Sequence, residues 1–380
     1  MKAYFEESDI RLDEFEAICK QSADLADYPL ATAVQKNIVI YDGEQLRELL
    51  DEDEAAIRAE WIRCLKDGPG VFVIKRAYAE TAVIDAMTAV FQQIVAQEKA
   101  TKGEGGDHFG QNERIWNSIQ KPCEIAPELF IEYYGNPFLA LASKAWLGPY
   151  YQITAQMNSV KPGNKAQSSH RDYHLGFQNR ATTAHFPAHV QVMSQYLTLQ
   201  GAIAHGDMPL EMGPTLFLPF SQQYEAGYLT FHDEEFRAYF AEHKVQLPLE
   251  KGDMVYFSPA LFHGAGENLG TADRIANLVQ ISSAFGRPME TVNRTKIVEK
   301  VYPILLEKVE QGVLSDRLIQ DTVAAMADGY SFPTNLDSDP PIGGNVPVTA
   351  QQLVHEALGA KRPLTDLMQS LAAYAERRTA

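Results

Sequence analysis

The sequence predicts a mainly β protein with flanking helices, its strands arranged as an antiparallel sandwich or barrel. Three observations carry that expectation. The middle of the chain strings together β-branched and aromatic runs, "YQITAQMNSVKP", "HVQVMSQYLTLQGA", "PTLFLPF", "KVQLPLE", "DMVYFSP" and "RIANLVQISSAFG", separated by Gly/Pro turns. No helices interleave regularly with these runs, which argues against a doubly wound parallel sheet. Helical periodicity returns only at the two ends.

In chain order, "EQLRELLDEDEAAIRAEWIRCL", over about 45–66, reads as a helix that stops at "DGPG". "VFVIKRA" reads as a short buried strand, and "ETAVIDAMTAVFQQIVAQ" as a second amphipathic helix. "TKGEGGDHFGQNERIW" is polar and glycine-rich, a loop that serves either as a plain connection or as a lid. After the β runs, "TKIVEKVYPILLEKVEQGV", "SDRLIQDTVAAMA" and "TAQQLVHEAL" are helical, the last with Thr349 as its N-cap. These segments predict one domain over 1–380, with an N-terminal helical extension over 1–60, a β core over 60–290 and a C-terminal helical extension over 291–380.

Composition narrows the function. The 45% hydrophobic and 22% charged residues suit a water-soluble chain with a substantial core. A formal charge of −17, with no Lys/Arg-rich block, disfavours phosphate backbones and anionic lipid as partners. The opening residues show neither a secretory signal nor a membrane span. Cys19, Cys64 and Cys123 lie far apart with no CxxC pair, which fits a reducing, cytoplasmic setting.

The stretch "FHGAGENLGTADR" (262–274) poses the central question, because its glycines could cradle a phosphate or line a metal site. A dinucleotide fingerprint needs GxGxxG before a helix, whereas Gly264, Gly266 and Gly270 give GxGxxxG before a strand. A metal site fits better. His170 and Asp172 in "SSHRDYHLGF" project to one side of an extended segment. Joined by His263, they give two histidines and one carboxylate, the ligand set typical of non-haem Fe(II) oxygenases. A second HxD pair, His205 and Asp207, lies in "AIAHGDMPLEMGPTLF", whose Gly, Pro and acidic residues read as an exposed surface loop. His174 is expected beside the site, facing substrate or backing a ligand. Arg274, eleven positions after His263, offers a guanidinium fork for a carboxylate.

From His170 to Arg274, by way of "EMGPTLFLPFSQ" and "GDMVYFSPALFHGAGENLGTADR", the chain resembles the phytanoyl-CoA dioxygenase family of Fe(II)/2-oxoglutarate-dependent oxygenases. Gly213, Pro214, Pro219, His263, Gly264, Asn268 and Arg274 match its motifs, and the resemblance covers roughly 60–290. One departure is Gln222, where the family usually has a histidine in a structural turn. The resemblance implies a double-stranded β-helix core (jelly-roll, cupin-like), with Fe(II) on His170, Asp172 and His263. It also implies 2-oxoglutarate as cosubstrate with its distal carboxylate on Arg274, and O2 as oxidant. Succinate and CO2 would be released as a C–H bond of a small molecule is oxidised, most simply to an alcohol. Asp172 is kept, which points to oxygenation and away from halogenation. Gln156, Asn158, Gln191 and Gln195, read as strand residues, are candidates for the cosubstrate. His108, Arg114, Trp116, Asn117 and His174 are candidates for the substrate. A zinc or manganese hydrolase or isomerase on a cupin-like barrel is the alternative, and a binding protein without chemistry a third; Arg274 discriminates against both. The terminal helices could pack on the core or on a second subunit.

Overall fold

The computed structural model describes residues 2–102, 112–331, 335, 337–340 and 347–379. Its strands are β1 (Ala33–Gln35), β2 (Ile38–Asp42), β3 (Val71–Lys75), β4 (Glu113–Ile115), β5 (Gln152–Val160), β6 (Thr198–Ala204), β7 (Leu216–Leu218), β8 (Met254–Phe257), β9 (Phe262–Gly264) and β10 (Arg274–Ser282). Eight of them form one mixed sheet in the order β1-β2-β3-β8-β6-β10-β5-β4. Only β2 and β3 pair in parallel. β7 and β9 form a separate antiparallel pair. Isolated bridges extend that pair on both sides, from Phe217 to Val245 and from His263 to His170.

Strand alternation sends every second side chain to each face of the large sheet. One face of β5, β6, β8 and β10 carries Ile153, Ala155, Met157, Leu199, Ile203, Met254, Tyr256, Val279 and Ile281, all buried in the main core. Helices Ala82–Lys102, Pro137–Leu147 and Arg294–Glu310 close over this face with Met87, Phe91, Leu139, Leu141, Val298 and Tyr302. The opposite face carries Val71, Val73, Ala202, Ala204, Val255, Phe257 and Ala276, which pack against Phe217, Leu249 and Leu261. This inner face also holds the polar side chains from which the site is built.

Several sequence expectations are corrected. The balance is not mainly β: among the described residues fifteen α-helices accompany ten strands. The helix expected over 45–66 is two, Gly43–Leu49 and Glu54–Lys66, because Asp42 and Asp53 each accept a bond from a first-turn amide and start a new helix. The run "HVQVMSQYL" is mostly helix, Ala188–Ser194. It buries Ala188, Gln191 and Ser194 at three-residue spacing, and that stripe overrides its valines' preference for strand. "KVQLPLE" keeps only the isolated bridges at Val245 and Leu249, since Pro248 cannot donate to a ladder. The N-terminal region is not purely helical, because β1 and β2 join the main sheet. Thr349 does cap its helix, in a reciprocal box with Gln352. Among the described residues no helix is long and apolar enough to cross a membrane.

Candidate metal centre

His170, Asp172 and His263 converge as expected, with one potential ligand atom from each lying within 4.8 Å of the others. Backbone pairing places them. His170 and His263 exchange both main-chain bonds, N to O at 3.0 and 3.2 Å, so their rings stand side by side with centroids 4.4 Å apart. The Asp172 amide donates to the Pro259 carbonyl at 2.9 Å, holding the carboxylate on the same side as His170. Arg171 between them points the other way into the core. Its guanidinium donates to the carbonyls of Ser221 (2.6 Å) and Tyr224 (2.9 Å) and faces the rings of Tyr228 and Phe262. Gly227 is required there, because a Cβ would lie 2.0 Å from the Arg171 guanidinium carbon.

Both imidazoles are held in the form a metal needs. His263 Nδ1 lies 2.7 Å from the Leu261 carbonyl and His170 Nδ1 lies 3.1 Å from the Ser168 carbonyl, so each Nδ1 carries the proton as a donor. The Nε2 lone pairs face the Asp172 oxygens at 3.3 Å (His263) and 3.7 Å (His170). Burial opposes the Asp172 charge, but His170, His263 and the amide of Gln200 outweigh it and hold the carboxyl below the usual carboxylate range. Burial, reinforced by His263, pushes His170 below its ordinary value and keeps it a neutral ligand. Gln200 Nε2 donates to Asp172 Oδ2 at 2.5 Å, and the Phe257 ring meets His263 edge-on at 4.8 Å between centroids. Two neutral imidazoles and an ionised carboxylate on one side of a point suit Fe(II) with open coordination positions.

Arg274 opens β10 on the inner face, opposite Val160. It is buried, and its Nη1 reaches only the carbonyls of Gly266 (3.3 Å) and Met212 (3.4 Å). No carboxylate pairs with it among the described residues, and burial pushes its pKa down to about 10. A cavity lined by Arg274, Asn158, Thr215, Ala202, Ala276 and Leu278 runs along the inner face from its guanidinium. The buried Oδ1 of Asn158 has no protein partner. An uncompensated buried cation fits the distal carboxylate of a dicarboxylic acid, which Asn158 can meet only through its Nδ2 donors, since its unmatched Oδ1 is an acceptor. The glycines beside it allow close approach: a Cβ on Gly266 would meet Gln246 Nε2 at 2.4 Å and the Gly213 carbonyl at 2.7 Å. Asn268 pins the same loop by donating to the Val160 and Ala272 carbonyls at 2.8 and 3.0 Å.

The remaining candidates divide. Gln156 faces inward on β5, donating to Gln280 Oε1 (3.1 Å) and accepting from Arg114 Nη1 (3.1 Å). Arg114 lies over the half-exposed ring of Trp116 at 5.5 Å. Asn117, at a positive φ of 56°, donates its amide to Glu290 Oε1 at 2.5 Å. His174 Nε2 sits 3.3 Å from Thr198 Oγ1. Gln191 and Gln195 do not lie on a strand: Gln191 is helical and donates to the Thr183 and Phe186 carbonyls at 3.1 and 2.9 Å, and Gln195 follows it before β6 begins. His108 lies outside the described residues. Gln222 donates to the Gly68 carbonyl at 2.8 Å, away from the triad. Sequence reasoning missed Gln200, Gln280, Tyr173 and Glu290. Gln200 left one signal, a polar residue in alternation with Thr198 on a strand, but its partner Asp172 could not be read from that. A cavity of about 930 Å³ between the N-terminal segment and residues 188–196 is lined by none of the triad.

Two histidines and a carboxylate beside the inner face of a mixed sheet form a group that could hold a metal ion, and a buried arginine opens β10 on that face. The family model described as phytanoyl-CoA dioxygenase matches residues 53–276, more than half of the chain. The chain therefore belongs to the phytanoyl-CoA dioxygenase family of Fe(II)/2-oxoglutarate-dependent oxygenases, as its motifs implied. A curated relative, dioxygenase cdmD of Talaromyces verruculosus, is 30% identical over 168 residues, covering 43% of this chain and 49% of the relative. The chain thus matches about half the length of that relative. Among solved structures, AviO1 from Streptomyces viridochromogenes Tue57 is 17% identical with a TM-score of 0.44, over 61% of this chain and 97% of that one. The non-haem α-ketoglutarate-dependent carbocyclase SnoK from nogalamycin biosynthesis is 19% identical with a TM-score of 0.40, over 59% and 83%.

Proposed function

We propose that this chain is an Fe(II)/2-oxoglutarate-dependent dioxygenase that hydroxylates a C–H bond of a small molecule and releases succinate and CO2. His170, Asp172 and His263 would hold the iron, Arg274 and Asn158 the distal end of 2-oxoglutarate. The observation that carries the reading is Arg274, a buried guanidinium with no acidic partner among the described residues, on the sheet face toward which the triad is turned. A metal hydrolase has no use for such a group, which costs stability until a carboxylate meets it. In this reading the eight-stranded sheet and the bridged β7–β9 layer are the two halves of a jelly roll.

Bound Fe(II) with 2-oxoglutarate and O2 supplies the oxidant that takes a hydrogen atom from the substrate. The chain's own task is positioning. Arg274 would fix the far carboxylate and so the direction from which the keto acid approaches the triad. Gln200 holds Asp172 Oδ2 and limits rotation of the carboxylate. The carbonyls of Leu261 and Ser168 keep the imidazole protons on Nδ1. Phe257 shields His263 from water.

The test is anaerobic titration of the purified protein with Fe(II), with and without 2-oxoglutarate, following the weak visible charge-transfer band of the chelate. The band is expected in the wild type. In Arg274→Ala the 2-oxoglutarate affinity should fall by about a hundredfold, the worth of a buried charge-assisted pair, with Fe(II) affinity unchanged. Iron binding with no 2-oxoglutarate-dependent band would replace this reading with the hydrolase or isomerase.

A further inference from the structure

A continuous row of polar side chains leaves the metal site along the inner face of the sheet, and the chemistry proposed above does not use its far end. It starts at Asp172, whose Oδ2 accepts from Gln200 on β6. Gln200 lies directly across from Gln280 on β10, and Gln280 accepts from Gln156 on β5 at 3.1 Å. Gln156 in turn accepts from Arg114 on β4 at 3.1 Å. The row thus crosses four adjacent strands. Beyond it stands Glu290, in the segment that follows β10, with Oε1 held by the Asn117 amide at 2.5 Å. Its Oε2 is buried and has no hydrogen-bond partner among the described residues. No lysine or arginine forms an ion pair with it among the described residues, and the nearby Lys121 is engaged by Glu98 at 2.5 Å.

A buried carboxyl oxygen without a donor is costly, and proteins keep such groups where a ligand completes them. Trp116, under Arg114 at the far end of the row, is half-exposed. We propose that Glu290 is a substrate-recognition residue of this site, and that the substrate offers its free oxygen a hydroxyl or amine donor. The proposal rests on the oxygenase reading and narrows it. The substrate is a compact polar molecule lying along the row, its donor on Glu290 and its reacting carbon toward the triad. A purely aliphatic chain would leave five polar side chains and Glu290 facing hydrocarbon.

The test uses the holoenzyme with Fe(II) and 2-oxoglutarate under argon and three probes: benzyl alcohol, benzylamine and benzyl methyl ether. Paramagnetic relaxation of each probe's protons by the bound iron reports binding beside the metal. Burial raises the Glu290 carboxyl to about 7, so at pH 8.5, where it is ionised, the two donor-bearing probes should bind about tenfold more tightly than the ether, the worth of one hydrogen bond to a charged acceptor. Glu290→Leu should abolish the difference. Glu290→Gln keeps an oxygen for the Asn117 amide but places an NH2 where the free oxygen was; that NH2 donates to the alcohol and ether oxygens alike, so the alcohol should lose its advantage over the ether. Equal binding of the three probes, relaxation of none, or a preference unchanged in Glu290→Gln would overturn the proposal. The iron chelate band is measured in the same samples: its presence in the wild type alongside a negative probe result sinks the role of Glu290 alone, whereas its absence sinks the oxygenase reading.

Discussion

The chain contains the same three-residue pattern twice, and the structure gives the copies opposite fates. His170-Arg171-Asp172 becomes two-thirds of a metal site, while His205-Gly206-Asp207 becomes part of the frame. The histidines do not differ in tautomer. Thr88 gives its own proton to the Ile84 carbonyl at 2.7 Å, so His205 Nδ1, 2.8 Å away, must donate to it, just as His170 Nδ1 donates to Ser168. What differs is the claimant of Nε2. At His205 the Tyr133 hydroxyl takes it at 2.7 Å. At His170 it faces a carboxylate shared with His263. The acids differ as well: Asp172 is turned inward onto Gln200, whereas Asp207 is exposed and accepts the Lys251 amide at 3.0 Å. A ligand motif therefore becomes a site only where the surroundings leave its lone pairs unspent.

The sharpest way to break this contrast is Asp172→Ala. It removes the sole carboxylate of the triad, so iron-dependent 2-oxoglutarate turnover should fall by at least a thousandfold, with iron lost on gel filtration. The fold should persist, since Asp172 holds its place through its backbone amide. Retention of iron by Asp172→Ala would show that the ligand assignment is wrong.

His205→Ala comes next and should act on stability alone. The imidazole is buried, satisfied at both nitrogens, and packed against Phe91 and Tyr133 with centroids 5.1 and 5.7 Å away. Its loss leaves a cavity and the Tyr133 hydroxyl without an acceptor, for a cost of about 3 kcal/mol by denaturant unfolding. Iron affinity per folded molecule should not change.

This contrast also marks how far the sequence could be read. The convergence of the triad was legible because its residues are written locally, as HxD and as a histidine eleven residues before Arg274, on segments with clear turn signals. The expectation that His205 sat on an exposed loop was wrong because its partners, Thr88 and Tyr133, come from helices 117 and 72 residues away in the chain. Gln200, Gln280 and Glu290 were missed for a related reason. Gln200 and Gln280 are unremarked polar residues until the register of β6 and β10 sets them opposite one another, and Glu290 until the Asn117 amide, 173 residues away in the chain, meets it. Gln191 was misplaced because its valine neighbours favour strand while the burial spacing of the segment is helical.

A smaller effect follows from acid titration. Burial pushes the His205 pKa down to about 3, from an ordinary value of 6.5. Between those values the unfolded chain binds a proton that the folded chain refuses, so the contribution of His205 is fully present above pH 6.5 and drains away as pH falls toward 3. The expected slope from this residue is at most about 1.4 kcal/mol per pH unit. Unfolding midpoints measured from pH 7 to pH 4 should fall more steeply in the wild type than in His205→Asn. Parallel lines would mean that His205 is protonated in the folded state and that its hydrogen bonds are not those described.

The smallest effect separates the two copies most cleanly. Asp207→Ala removes an exposed carboxylate whose one recorded hydrogen bond is to the Lys251 amide at 3.0 Å. That amide is itself exposed enough to turn to water, so the loss should be within about 0.5 kcal/mol, with iron content and turnover unchanged. A null result here carries weight only beside Asp172→Ala, because the two substitutions delete the same side chain from the same motif. If both variants lost iron, the effect would be on folding or expression and the motif would have no privileged copy. If only Asp172→Ala does, the difference lies wholly in what surrounds the carboxylate: His263 across the β9 bridge and Gln200 beneath it, neither of which His205 or Asp207 possesses.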